Sequence, residues 1–436
     1  MTTLESISSD KLAKYSSGTA GAVLFLLMYF FFWIHTTPFP DLSGDPSNAN
    51  DSNLINQLSI LILSGSYLLF ALFSPMRQTI LQPRILLCTL FLWYTFVSVI
   101  SSYPAEALKH LVLAMLVCIN AGIFLLLPAT EERFAKLLGI ATLIMLAVAY
   151  FGVFFLPVRA IHQASEVREP LLAGFWRGQF VHKNSAAAIM VIAVFFGLYV
   201  YSMKRRVTGG LIVVLSVIFL LHTGGKTSTA ALPGILILAF IFETWKWTRI
   251  PIAVGSIALI NFFTIGSAVS PAVRAFVTSL GIDASFTNRT DIWKVAFTAI
   301  SQNPITGYGF QLFWGTKEIV YGGGSIETWA VAAFNGHNAY LDILLTTGIP
   351  GLLLTLTWLV FLPLKYISQA TKTTNNPYLT RLFIRIWLYG VLTACVETVF
   401  FESGSPMWFS LLFAVFGLRL QANASLESEQ QARVAA

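Results

Sequence analysis

Residues 184–222 read NSAAAIMVIAVFFGLYVYSMKRRVTGGLIVVLSVIFLLH, and their pattern decides the fold. Two apolar runs, 184–203 and 209–222, flank a short turn that carries Lys204, Arg205 and Arg206. The first run is long enough to cross roughly 30 Å of hydrocarbon as a helix. A cluster of cations between two such runs marks a cytoplasmic turn, because Lys and Arg concentrate on that side of a membrane protein. The same alternation extends outward in both directions. Apolar runs bounded by charges, Pro and Gly fall at about 18–35, 54–73, 84–100, 107–127, 136–156, 184–203, 209–222, 229–244, 251–270, 349–364, 382–400 and 405–419. The segment from 18 follows Lys11 and Lys14 as a secretory signal would, but no small-x-small pattern comes after Ile34-His35-Thr36, so it is read as a span.

The 436 residues are 56% hydrophobic and 11% charged, with a mean hydropathy of +0.73, which excludes a soluble globular protein. The expected fold is an all-α polytopic membrane protein with about twelve transmembrane helices. Residues 1–270 are expected to hold helices one to nine, 271–348 a large loop with amphipathic helices and the entry to the next span, and 349–436 the last three helices and a tail. Cys88, Cys118 and Cys395 lie inside apolar spans, so neither a disulfide framework nor a thiolate metal site is suggested.

Twelve spans put both termini on one side. That side collects Lys11, Lys14, Arg77, Arg84, Arg133, Lys136, Lys204, Arg205, Arg206, Lys246, Arg249, Lys365, Lys372, Arg381, Arg385, Arg419 and Arg433, which is 17 of the 27 basic residues. It is therefore read as cytoplasmic. On this account the net charge of +7 sets topology, and no nucleic-acid partner is expected.

Three outer segments break the rule. Residues 157–183, 222–228 and 271–336 carry Arg159, Arg168, Arg177, Lys183, Lys226, Arg274, Arg289, Lys294 and Lys317, with His162, His182, His222 and His337 nearby. They are read as one outer anion site assembled from three loops. The alternative is that these cations pair with Glu166, Glu169, Asp283, Asp291, Glu318 or Glu327, or meet lipid phosphates.

Residues 271–336 form the longest polar connection, and loops of that size are usually functional or disordered. Asn288-Arg289-Thr290-Asp291 reads as a helix start and Pro304 follows its end. On that helix Trp293, Ala296 and Ile300 form an apolar stripe that passes through Arg289, which directs the arginine inward. Gly307-Tyr308-Gly309 and a tract at 322–324 follow, and the loop closes on Asn335-Gly336-His337-Asn338. A helix is expected to start there, with His337 in its first turn. The helix dipole then disfavours the imidazolium, which suits a general base. Alternatively the histidine merely borders a membrane helix.

In 175–184, Arg177, His182 and Lys183 precede a span whose N-terminus faces outward, where free amides and the dipole suit a phosphate; aromatic belts and snorkelling cations are the bland alternative. Gly224-Gly225-Lys226-Thr227-Ser228 is not a nucleotide P-loop, since its first glycine falls at Leu220, but Lys226 is suited to a single anion contact at a helix start. No metal-ligand spacing or G-x-S-x-G elbow occurs on the outer side, so neither metal nor cofactor is expected. Asp342 and Glu397 fall inside apolar runs near the outer end, where snorkelling or pairing with a loop cation accounts for them.

His337-Asn338, nine residues, then Gly348-Ile349-Pro350-Gly351 resembles the H-N-x9-G-x-x-G signature of the bacterial O-antigen ligase and polysaccharide polymerase superfamily. Arg289-x3-Trp293 followed by Pro304-x2-Gly307-x-Gly309 is similar to that superfamily's large periplasmic loop. The resemblance implies a GT-C-like inner-membrane protein with cytoplasmic termini and a periplasmic active site. It implies an inverting, metal-independent glycosyltransferase whose donor is an undecaprenyl diphosphate-linked glycan. In ligases the acceptor is the lipid A-core. By the same resemblance His337 is the catalytic residue and Arg289 a diphosphate contact. Lys226 stands where many members have a Ser-Arg pair, which keeps a cation but loses bidentate geometry. Arg177 or Lys183 would add to the diphosphate site, with His182 and Asn338 in support. A polymerase of the same superfamily differs in acceptor; a lipid-linked glycan transporter would show internal repeats or charges at the bilayer midplane, and neither stands out.

Overall fold

The computed structural model describes residues 19–42, 50–72, 82–128, 130–166, 170–286, 289–316, 330, 333–373 and 377–435. Lys11, Lys14, Arg77, Arg168, Glu169, Asn288, Lys317, Glu318, Glu327 and the 322–324 tract lie outside them, as do the side chains of Lys372 and Arg433. Among the described residues the chain is helical, with no β-strand and two isolated bridges, Ile161 with Trp176 and Phe313 with Gly315. The helices are α1 (Thr19–Trp33), α2 (Asn50–Leu72), α3 (Arg84–Val99), α4 (Pro104–Phe124), α5 (Glu131–Phe155), α6 (Lys183–Ser202), α7 (Arg206–His222), α8 (Lys226–Thr244), α9 (Ser256–Val269), α10 (Pro271–Ser279), α11 (Arg289–Gln302), α12 (Ala339–Leu356), α13 (Leu362–Thr373), α14 (Pro377–Thr393) and α15 (Pro406–Ala435).

Among the described residues seven stretches are long and apolar enough to cross a membrane: Leu54–Leu72, Pro104–Phe124, Glu131–Phe155, Lys183–Ser202, Lys226–Thr244, Lys246–Val269 and Ala339–Thr371. Thr19–Trp33, Arg84–Val99, Arg206–His222 and Pro406–Ala422 are apolar but shorter. All twelve apolar runs of the sequence are thus helical over most of their length, and seven of them have the length and composition of a span. This is the architecture of a multi-pass membrane protein, in which helices are favoured because hydrocarbon offers no partner to an open amide.

The stretch 184–222 folds as the tight hairpin α6–α7. A methyl on Gly197 would stand 2.9 Å from the Gly209 carbonyl oxygen, and one on Gly209 2.4 Å from the Tyr201 nitrogen, so the two backbones nearly touch. Small residues permit that approach where no hydrophobic force separates helix from lipid. α6 is apolar nearly all round and sits in the core, touching α5, α7, α8 and α14. Around it the phenylalanines interlock: Phe25 stacks on Phe124 at 4.3 Å and Phe32 on Phe409 at 4.1 Å.

A break in α12 and an early end to α14 both serve the site. α12 breaks at Gly348 (φ 70°, ψ −176°) just before Pro350. Pro350 has no N–H, so the Thr346 carbonyl loses its partner in the turn. Gly309 N–H takes that carbonyl at 2.9 Å, Tyr308 N–H takes Leu345 O at 3.2 Å, and Ile349 N–H donates to Pro304 O at 2.9 Å. Trp93 Nε1–H completes the set on Thr347 O at 2.9 Å. The 304–309 loop therefore docks backbone to backbone into a gap made by the glycine and the proline.

The early end of α14 corrects the expected span 382–400. α14 stops at Thr393, and 394–405 is irregular. Three carbonyls beyond the helix find donors on other elements: Ala394 O accepts from Ala339 N–H at 2.8 Å, Cys395 O from Asn338 Nδ2 at 2.7 Å, and Val396 O from Arg289. A helix end leaves its last carbonyls unpaired, and here the neighbouring loop supplies the partners.

Candidate active site

The site forms where the ends of α11, α12 and α14 meet. α11 begins at Arg289 and buries Trp293, Ala296 and Ile300, while Lys294, Thr298, Ser301 and Gln302 stay exposed. The amphipathic stripe read from the sequence is therefore the face that packs, and it turns Arg289 inward. There Arg289 donates through one guanidinium nitrogen to Glu397 Oε1 at 2.9 Å and through another to the Val396 carbonyl. Trp293 fixes the next segment by donating Nε1–H to Gly336 O at 2.8 Å.

His337 does not occupy the first turn of a helix. Asn338 is the cap of α12, its Oδ1 accepting from Leu341 N–H at 3.0 Å, because a short polar side chain suits that position and places His337 outside it. What the structure supplies instead is a partner: His337 Nδ1 lies 3.2 Å from Glu397 Oε2. A carboxylate only accepts, so Nδ1 carries the proton and Nε2 is left as the basic nitrogen. Among the described residues Nε2 has no partner, and the side chain is 37% exposed, so a substrate can reach it.

Glu397 thus holds Arg289 with one oxygen and His337 with the other. Burial raises its pKa, but the His337 hydrogen bond and the Arg289 charge outweigh burial and bring it below the ordinary carboxylate value. A lowered folded-state pKa contributes stability above the unfolded value, and that stability is lost as pH falls through the folded one. The melting-temperature gap between wild type and Glu397→Gln in detergent is therefore expected to narrow as pH falls below about 4.3, the ordinary Glu value. A gap that widened below that pH would contradict the pairing. Glu402, in the same irregular segment, has its pKa pushed up to about 8 by burial and by the neighbouring Glu397 and Asp342 charges.

Asn338 is fully buried, and its amide group donates to Asn261 Oδ1 and Cys395 O, each at 2.7 Å. The structure uses it as a cap and a clamp rather than leaving it open to a substrate.

The second group of expected cations lies on the 157–183 and 222–228 segments. Trp176 N–H donates to His222 O at 3.0 Å and its ring stacks on His222 at 4.1 Å, so these two loops do join. Lys183 Nζ donates to Gly224 O at 3.2 Å and lies 4.3 Å from the centre of the Phe175 ring. Lys226 opens α8 and is exposed. Two residues on, Ser228 Oγ meets Tyr389 OH at 3.2 Å, which sets the Lys226 end of α8 against the part of α14 leading to Glu397.

Arg177 is placed differently from the expectation. It is 1% exposed and donates to Phe180 O at 3.1 Å and Pro40 O at 2.9 Å, welding its loop to the chain beyond α1. The N-terminus of α6 is likewise occupied. His162 Nε2 accepts from Lys183 N–H at 3.1 Å and His182 Nδ1 from Asn184 N–H at 3.0 Å, while Glu166 holds His162 Nδ1 at 2.6 Å. Two amides that would meet an anion are capped by imidazoles, so this helix start is a structural joint.

Sequence reasoning noticed Glu397 but placed it in a membrane span, and it missed Asn261, Thr398 and Trp314 altogether. The polar run Glu397-Thr398 with Glu402-Ser403-Gly404-Ser405-Pro406 was the available signal that the span ends early.

Residues 211–356, from α7 to the end of α12, match the family model described as O-antigen ligase. The match takes in Lys226, Arg289 and the whole His337–Gly351 signature and stops before Glu397. No curated protein matches the chain.

Proposed function

We propose that this chain, whose residues 211–356 match the O-antigen ligase family model, is an inverting glycosyltransferase. Its reaction moves O-antigen polysaccharide from undecaprenyl diphosphate to the lipid A-core oligosaccharide. It acts on the periplasmic face of the bacterial inner membrane, with twelve spans and both termini cytoplasmic. The observation that carries this reading is that one carboxylate, Glu397, gathers Arg289 and His337 from distant parts of the chain while leaving His337 Nε2 accessible.

In this reaction His337 Nε2 takes the proton of the acceptor hydroxyl as the oxygen attacks the anomeric carbon. The bond from that carbon to the phosphate oxygen breaks on the opposite face, and the electron pair leaves with undecaprenyl diphosphate, inverting the configuration. Glu397 keeps the imidazole in the reactive tautomer and stabilises the imidazolium that forms, as the third member of a catalytic triad does. Arg289 meets the charge growing on the departing diphosphate, with Lys226 and Lys183 as outer cations along the donor's path. Diphosphate is a good leaving group, so a base and an electrostatic clamp suffice without a metal or cofactor. The polyprenyl chain lies in membrane lipid against the apolar helices.

Expression in a host that lacks its own ligase tests the reading through lipopolysaccharide gels. A restored O-antigen ladder on lipid A-core is the expected result. Polymer that accumulates on undecaprenyl diphosphate without ligation overturns the ligase assignment, and restored chain extension in a polymerase-deficient host would replace it with a polymerase.

A further inference from the structure

Asp342 stands in the first turn of α12, apart from the groups assigned above to the reaction. Its carboxylate accepts from donors on three separate segments. Gly336 N–H lies 3.0 Å from Oδ1 and 3.3 Å from Oδ2, Trp314 Nε1 2.8 Å from Oδ1, and Thr398 Oγ1 2.7 Å from Oδ2. Gly336 immediately precedes His337, and Thr398 immediately follows Glu397. One side chain therefore joins the residue before the base to the residue after its acid partner. A Cβ on Gly336 would stand 2.4 Å from Asp342 Oδ1, so the approach is as close as glycine permits.

A clamp is needed because His337 has φ 47°, a left-handed conformation uncommon for any residue but glycine. Such a backbone persists when its surroundings over-determine it. Asn335 Oδ1 accepts from His337 N–H at 3.1 Å, Trp293 holds Gly336 O, and Asn338 caps α12. Asn338 reaches the 394–405 segment at Cys395 O, and Asp342 reaches it at Thr398, the residue next to Glu397.

We infer that Asp342 is a positioning residue for glycan transfer, holding the His337 imidazole against Glu397 by fixing the flanks of both. The inference rests on the function proposed above. Asp342 itself touches no reacting atom; its carboxylate is filled by protein donors.

Purified protein in lipid nanodiscs, assayed with an undecaprenyl diphosphate-linked glycan and lipid A-core, tests it. Asp342→Ala is expected to lower kcat by about 10- to 100-fold, the scale of a small misplacement of reacting groups, with KM for the donor unchanged. Asp342→Asn restores most of the rate. Its amide oxygen still accepts from Gly336 and Trp314, and its amine donates to the Thr398 hydroxyl, which can turn to accept. Should the alanine variant fail to fold, Thr398→Val removes one donor and leaves two, and a fall in kcat at constant KM carries the same conclusion. An unchanged kcat in Asp342→Ala, or an asparagine variant as slow as the alanine one, overturns it, the latter because charge rather than fixation would then be required.

Amide hydrogen exchange separates this inference from the functional reading. If wild type transfers no glycan, the functional reading fails. Faster exchange at 335–338 and 395–399 in Asp342→Ala, with the helices still protected, would then support the clamp, and unchanged exchange would overturn it.

Discussion

His337→Ala is expected to lower glycan transfer by about 10²- to 10⁴-fold, the usual contribution of a positioned general base, while donor binding and membrane insertion remain. The substitution is structurally mild. His337 already holds φ 47° as a non-glycine residue, so alanine adds no new backbone strain, and Asn338 still caps α12. Glu397 keeps its ion pair with Arg289 at 2.9 Å, so the half-buried carboxylate is not orphaned. Transfer measured on purified wild type and variant, with donor binding followed separately, checks the expectation. A variant that binds donor and still transfers at the wild-type rate would show that the imidazole borders the helix and does nothing to the hydroxyl. A variant lost from the membrane would point instead to a structural role.

Among the described glycines, Gly348→Ala is expected to be the most damaging single methyl. At φ 70° a non-glycine residue costs on the order of 1–3 kcal/mol in backbone strain alone. The added Cβ would also stand 1.9 Å from the Ile305 carbonyl oxygen and 2.3 Å from its carbon. Those are backbone atoms, so no side-chain rotation relieves the clash. The 304–309 loop must leave the gap in α12, which exposes the Thr346 carbonyl that Pro350 cannot satisfy and removes the seat of Gly309 N–H. A lower melting temperature in detergent, faster proteolysis within 304–316 and loss of transfer are expected together. Gly234→Ala is the matched control, since a methyl there meets nothing within 4 Å and alanine favours a helix. Equal melting temperatures for the two variants would show that the loop does not depend on the gap.

Much of this site is legible in the sequence. Arg289 pointing inward, the buried stripe Trp293, Ala296 and Ile300, and the helix beginning at Lys226 all follow from local periodicity and capping, which short stretches of sequence carry by themselves. The spacing of Pro304, Gly307, Gly309, Gly348 and Pro350 was visible as a pattern without a cause. Its cause is a contact between two backbones, which no local rule describes. His337 was misplaced by one cap position because both His337 and Asn338 are polar, and only the Asn338 bond to Leu341 N–H shows which of them begins the helix.

The cations show the same division. Charge counting found every basic residue of the outer loops, but it could not tell Arg177, enclosed among the carbonyls of Phe180 and Pro40, from Arg289, which meets a carboxylate beside an accessible histidine. Apolar run length and helical period are properties of neighbouring residues, so a helical membrane protein, the 271–336 loop and His337 are legible in the sequence. The tertiary structure alone decided that α14 stops at Thr393 and that Glu397 unites Arg289 with His337. Those depend on donors from α11 and α12 reaching carbonyls and a carboxylate far away in the chain, and that pairing exists only once the helices are packed.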